Sequence, residues 1–147
     1  MDDIDFSGKY YHNIDAKGRI IIPAKLKKDL GENPVVSLGL DGCLDVYIAE
    51  DWKAFVNQLK SLPSMLAEVR EMRRILLANA STCEIDKQGR ILIPSELRSA
   101  AGIEKEAVFV GVGNKVELWN KETYEAKTNG QDLAAMAAKL ANMGINF

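Results

Sequence analysis

Apolar side chains recur along the chain at two spacings, and these spacings predict its elements. Lys9 to Ile14 reads as a strand entering the turn Asp15-Ala16-Lys17-Gly18, and Arg19 to Ile22 reads as the β-branched return strand of a hairpin. Alternate strand side chains face opposite ways, which sets Ile20 and Ile22 on one face and Arg19 and Ile21 on the other. Gly18 supplies the positive φ that such a turn requires. Pro23 suits the first turn of a short helix with Leu26 and Leu30 on one face and Gly31 as its stop. Val35–Leu40 and Leu44–Ile48 flank Asp41-Gly42, a strong hairpin signal. Trp52, Phe55, Val56 and Leu59 then form the apolar stripe of a core-facing helix over 50–60. After the break at Ser61-Leu62-Pro63-Ser64, Met65, Val69, Met72 and Leu76 predict a second helix over 64–79.

The pattern then repeats. Residues 14–31, IDAKGRIIIPAKLKKDLG, and 85–102, IDKQGRILIPSELRSAAG, share nine of 18 positions at an offset of 71. After a one-residue slip, Gly39 matches Gly111, and Tyr47 and Trp52 match Trp119 and Tyr124. Val108–Val112 and Val116–Trp119 flank Gly113-Asn114 as the second copy of the later hairpin. The chain is a tandem duplication, with a first repeat plus helices over 6–80, a second repeat over 81–125, and a helical tail over 126–147. In that tail Thr128-Asn129-Gly130 precedes a helix with Leu133, Met136, Ala137 and Leu140 on one side, a stripe weak enough to be marginal or to dock on a neighbour.

Composition narrows the function classes. At 147 residues, 47% hydrophobic and 27% charged, the chain is an ordinary globular sequence. No apolar run reaches the roughly 18 residues of a membrane span, and the start Met1-Asp2-Asp3-Ile4-Asp5 is acidic, unlike a secretory leader. Cys43 and Cys83 stand 40 residues apart, which argues against a disulfide framework or zinc site and for a reducing cytoplasm, with both cysteines as small core hydrophobes. The single histidine, His12, is expected on the solvent side of its strand. No cofactor, metal or small-molecule substrate is expected.

The repeated residues that neither core nor turn requires are Asp15/Asp86 and Arg19/Arg90, in the pattern Asp-x-x-Gly-Arg. One reading is a local ion pair or Asx-type cap that pins the hairpin, contributing about 0–1 kcal/mol. A paired-aspartate protease site is disfavoured, because each Asp has an Arg four residues away to keep it ionised and the Asp-Thr/Ser-Gly signature is missing. No G-x-S-x-G elbow is present, and Gly111-Val112-Gly113 lies in a hairpin rather than at a strand-to-helix turn, so neither hydrolase nor dinucleotide chemistry is supported. The chain is read as a non-enzyme.

A nucleic-acid reading gains from local charge. The whole chain is net −2, but Lys9–Lys28 holds six basic residues against Asp15 alone, a local +5. In Ser81–Ser99, Lys87, Arg90 and Arg98 are balanced by Glu84, Asp86 and Glu96. A two-stranded ribbon fits the DNA major groove, and Arg pairs bidentately with guanine or grips phosphate. On charge alone Arg19 should matter most, then Lys17, with Arg90 weaker.

Ile14-Asp15-Ala16-Lys17-Gly18-Arg19 with Ile22-Pro23, and Asp86-Lys87-Gln88-Gly89-Arg90 with Ile93-Pro94, resemble the two D-x-x-x-R motifs of the bacterial MraZ family. Asp41-Gly42-Cys43-Leu44, Val110 to Asn114 and Glu117-Leu118-Trp119 are similar to it too, so the resemblance spans roughly residues 6–125. It implies a β-rich α+β fold of the AbrB-like superfamily, a pseudo-two-fold swapped-hairpin (double-split) β-barrel built from two tandem repeats, with peripheral helices. It further implies a cytoplasmic, nucleoid-associated transcriptional regulator that binds double-stranded DNA at tandem repeats upstream of its own division and cell-wall gene cluster, as a ring-like homo-oligomer. The DNA-contacting motif carries over to Asp15, Lys17 and Arg19, and to Asp86, Lys87 and Arg90. The rival reading is an oligomeric protein-interaction scaffold that has lost DNA binding, favoured only by the overall acidity.

Overall fold

The computed structural model describes residues 4–146, so Met1-Asp2-Asp3 of the acidic start lies outside the described residues. The first half runs β1 (Lys9–Asn13), β2 (Arg19–Ile21), α1 (Ala24–Leu30), β3 (Val35–Leu38), β4 (Leu44–Tyr47), α2 (Ala49–Lys60) and α3 (Ala67–Ala78). The second runs β5 (Ser81–Thr82), β6 (Arg90–Leu92), α4 (Ser95–Ala101), β7 (Glu106–Gly111), β8 (Val116–Asn120), α5 (Lys121–Thr128) and α6 (Leu133–Asn142).

The halves exchange strands. The six-stranded antiparallel sheet has the order β1-β7-β8-β4-β3-β5, and β2 pairs with β6 in a separate ribbon. Thus β1 of the first repeat edges the second repeat's hairpin, β5 does the reverse, and a pseudo-two-fold runs between β4 and β8 and between β2 and β6. Asp15-Ala16-Lys17-Gly18 is therefore not the tip of a hairpin. The strands on either side of it never pair with each other, because each finds its partner in the other repeat. Among the described residues no ladder joins the edge strands β1 and β5, and the strands form two antiparallel sheets in a mixed α+β fold.

One core fills the space between ribbon and sheet. Ile20, Ile22, Ile91 and Ile93 come from the ribbon side, and Val36, Leu44, Val46, Phe109 and Leu118 from the sheet. Leu26, Leu30 and Leu97, from α1 and α4, seal the ends. The strand alternation behaves as its period requires, with Ile20 buried at 1% exposure and Ile21 open at 47%. Pro23 and Pro94 stand one residue outside their helices, as extended N-cap residues. Both cysteines are buried.

Three details differ from the sequence reading. His12 lies on the inner side of β1, half-buried with its ring edge-on to Phe109 at 6.3 Å, because β1 pairs along buried β7 rather than running free. The second long helix starts at Ala67, which leaves Met65 in the preceding turn at 91% exposure. Strand β3 ends short of Leu40, since the chain turns at Gly39, whose N–H donates to the Cys43 carbonyl at 2.8 Å, and β4 ends short of Ile48, which is the extended N-cap of the following helix. Helices α2 and α3 lie outside the sheet, where Tyr47 stacks on Phe55 and meets Trp52.

Candidate nucleic-acid interface

Each Asp-x-x-Gly-Arg turn is a clamp built on one carboxylate. Asp15 Oδ1 accepts the backbone N–H groups of Lys17 and Arg19, both at 2.9 Å, while Oδ2 accepts Arg19 Nε at 2.8 Å. Gly18 at φ 87° lets the chain close the turn, its N–H donating to the Asp15 carbonyl at 3.0 Å. The second copy repeats this: Asp86 Oδ1 takes the N–H groups of Gln88 and Arg90 at 2.9 and 2.8 Å, and Oδ2 takes Arg90 Nε at 2.9 Å. The Arg19 N–H, then its guanidinium and the Lys17 N–H, hold the Asp15 carboxyl below its ordinary value despite some desolvation; Arg90 and Gln88 do the same to Asp86. A carboxylate so engaged orients its Arg rather than offering a free negative charge.

Strand exchange brings both motifs to one surface. In the ribbon Arg19 stands opposite Leu92 and Ile21 opposite Arg90, and all four side chains share the outward face while Ile20 and Ile91 fill the core behind them. The two clamps also meet across the ribbon, with Arg90 Nη1 3.9 Å from the Asp15 Oδ2 of the other repeat. Because each clamp is closed through Nε, the terminal amino groups take no part in it. For Arg19 these have no further partner among the described residues, whereas Arg90 Nη2 donates to Gln88 Oε1 at 3.4 Å. Lys17 and Lys87 are exposed on the two turns and make no ion pair among the described residues.

Counting charge along the sequence misassigned part of it. Lys27 of α1 and Arg98 of α4 are equivalent positions, and each lies over the turn of the opposite repeat. A Cβ at Gly89 would start 3.4 Å from Lys27 Nζ, and one at Gly18 would meet Arg98 Nε at 2.8 Å. Arg98 is fixed there by donating from Nε to the Ile93 carbonyl at 2.9 Å. Lys27 and Lys28 line a hollow with Glu84, Asp86 and Lys87. Two lysines counted toward the first motif therefore sit beside the second. The sequence reading counted both lysines but gave them to the wrong turn; for Lys27, its equivalence to Arg98 at the same offset of 71 was the available signal.

A second polar group lies on the sheet's other face and serves packing. Asp45 is 4% exposed and pairs with Lys115 Nζ at 2.9 Å, while Glu117 accepts Trp119 Nε1 at 2.9 Å. Burial pushes the Asp45 carboxyl up against the pull of Lys115, and pushes the neighbouring Cys43 thiol up to about 12, helped by the Glu117 and Asp45 charges. That thiol stays protonated and inert at neutral pH. No helix among the described residues is long and apolar enough to cross a membrane.

A family profile for the MraZ protein, of antitoxin-like type, matches the chain twice, over residues 6–75 and 76–143. The second match runs through α6, beyond the span of the motifs. The chain is 50% identical over 142 residues to a transcriptional regulator MraZ of Lachnoclostridium phytofermentans, covering 97% of this chain and 99% of that one. It is 52% identical over 127 residues to the protein of that name from a Thermoanaerobacter species, covering 86% and 89%. With that of Caldanaerobacter subterraneus it shares 48% over 140 residues, covering 94% and 98%.

Proposed function

The chain belongs to the MraZ family, and from its ribbon and turns we propose that it is a sequence-specific regulator that reads double-stranded DNA with them. The observation that carries this is the pair of Asp–Arg clamps on one outward face. Two Arg side chains, pre-aimed through Nε, present their terminal donors from a two-stranded ribbon of the kind the major groove admits. Pre-aiming reduces the rotamer entropy lost when the contacts form. Lys17 and Lys87, with Lys27 and Lys28 beside the second turn, supply phosphate contacts around it. Asp15 and Asp86 act through their arginines. The swapped-hairpin barrel belongs to the same proposal, supported by the single core between ribbon and sheet, as do a cytoplasmic, nucleoid-associated setting and a target in tandem repeats upstream of the chain's own division and cell-wall gene cluster.

Self-assembly into a ring completes the reading. Helix α6 buries none of its residues, and Leu133, Met136 and Met143 stand open at 75%, 41% and 65%. Along α3, a groove lined by Leu38, Leu40, Met72, Ile75 and Leu76 has Glu68 and Glu71 at its edge, and Lys139 is the one charged residue within α6. Docking α6 of one subunit into the groove of the next is a head-to-tail contact, which closes as a ring when its rotation permits. Several ribbons on one ring engage tandem DNA boxes far more tightly than one does, since each later contact is intramolecular.

A gel-shift comparison of the chain's own upstream region with a scrambled duplex tests the reading. Preferential retardation of the upstream duplex, reduced by added salt, is expected. Equal binding of both would overturn the sequence specificity proposed here, and binding of neither would favour the interaction scaffold instead.

A further inference from the structure

The outward face of the ribbon carries four side chains, and only two of them are charged. Ile21 and Leu92 stand 47% and 55% exposed between the arginines, each directly across the ribbon from the Arg of the other strand. Isolated apolar side chains on a surface are ordinary. These two occupy equivalent positions of the two repeats, and the core does not need them, since Ile20, Ile22, Ile91 and Ile93 already fill the inner face. A surface meant only to grip phosphates would gain nothing from them, because phosphate oxygens reward donors and cations.

We infer that Ile21 and Leu92 are specificity-determining residues that pack on thymine C5-methyl groups in the major groove, beside the positions engaged by Arg19 and Arg90. The inference rests on the ribbon reading above and deepens it. The methyl is the one apolar group that the major-groove edge of the bases displays, and apolar side chains are what recognise it. A strand backbone held at both ends by ladder bonds keeps Ile21 and Leu92 in register with the arginines. Ile22 donates its N–H to the Gly89 carbonyl at 2.9 Å, and Ile93 donates to Gly18 at 2.8 Å. The diagonal alternation of Arg and apolar side chains makes the preferred site one in which a thymine neighbours each Arg-contacted position.

The test uses two duplexes of the chain's own upstream region, one amplified with dTTP and the other with dUTP, so that base pairing is kept and only the methyl groups are lost. The full-length chain is expected to bind the uracil duplex about fourfold more weakly for each methyl contact removed, the fold-change that burying one methyl implies. The double variant Ile21→Ala/Leu92→Ala, whose positions are exposed and whose folding is checked by its thermal transition, is expected to bind both duplexes alike. Equal binding of the two duplexes by the unaltered chain, with preference for upstream over scrambled DNA retained, would overturn the inference and leave the ribbon reading standing. A uracil effect undiminished in the double variant would also overturn it, by moving the methyl contact to other residues. Absence of any preference of the unaltered chain for upstream over scrambled DNA would overturn the ribbon reading and this inference together.

Discussion

The two Asp-x-x-Gly-Arg turns are nearly the same object in the clamp and different objects beyond it. Asp15 and Asp86 make the same three hydrogen bonds at 2.8–2.9 Å. Outside the clamp, Arg19 keeps its terminal amino groups open, while Arg90 spends one on Gln88 and points another toward Asp15 at 3.9 Å. Its guanidinium is also the less exposed, with 25% of the side chain open against 34% for Arg19. The expected order of Arg19 before Arg90 thus keeps a reason, but a different one from the charge of the sequence neighbourhood. Lys27 and Lys28 belong to the first repeat by sequence and to the second turn by position. What the duplicated motif specifies is the clamp; what each Arg has left to offer depends on the residue two positions earlier, Lys17 or Gln88.

The strongest challenge to this two-fold comparison is to separate the halves. Residues 1–80 alone leave β1 without β7, β2 without β6 and β4 without β8. Such a fragment should show no cooperative thermal transition by circular dichroism at any concentration that keeps it monomeric, and a stable folded monomer would break the exchange. Next in size are Ile20→Ala and Ile91→Ala, which face each other across the ribbon at 1% exposure. Each should cost about 2–5 kcal/mol in urea unfolding, by similar amounts, because one shared core surrounds both. Clearly unequal costs would mean the repeats stabilise the molecule separately.

Gln88→Lys sharpens the difference between the turns. It removes the Gln88 acceptor from Arg90 and adds a cation where the first repeat has Lys17. DNA affinity should rise and the log–log salt slope should steepen by about one unit. An unchanged slope would place the second turn away from phosphate. The smallest effect is in acid. Both turn carboxyls sit below their ordinary value when folded, so they stabilise the fold above the unfolded pKa of about 3.9 and lose that contribution as pH falls through the lowered folded values. Urea midpoints should therefore be insensitive to these groups from pH 7 to 5 and fall below about pH 4, with a shallower fall in Asp15→Asn and in Asp86→Asn alike.

Local order was legible in the sequence because local rules set it. The period of two in Arg19-Ile20-Ile21-Ile22, the turn residues Asp15 and Gly18, and the stripe of Trp52, Phe55 and Leu59 each depend on residues near at hand. Strand partnership does not. Asp15-Ala16-Lys17-Gly18 has the chemistry of a hairpin turn whether or not its flanking strands pair, and only the duplication, giving every strand an equivalent partner elsewhere, lets the exchange form. His12 moved inward for the same reason, since the burial of β1 is decided by β7, where its partner Ala107 lies 95 residues away. Met65 fits the helical stripe, but Pro63 closely precedes it and the helix begins at Ala67. The clamp itself could be guessed from the i, i+4 spacing; the meeting of both clamps on one face, with Lys27 and Arg98 each delivered to the other turn, required the fold.

The decisive measurement is DNA binding by Arg19→Ala, side by side with Arg90→Ala, on the cognate upstream duplex and a scrambled one at two salt concentrations, with folding and assembly verified by circular dichroism and light scattering. A base contact by Arg19 predicts a loss of about 1–3 kcal/mol on the cognate duplex with relaxed preference for it, and a smaller loss for Arg90→Ala. Unchanged affinity in a folded, assembled Arg19→Ala protein would contradict the central claim, moving the DNA surface off the ribbon and leaving the Asp–Arg clamp as a structural pin of the turn.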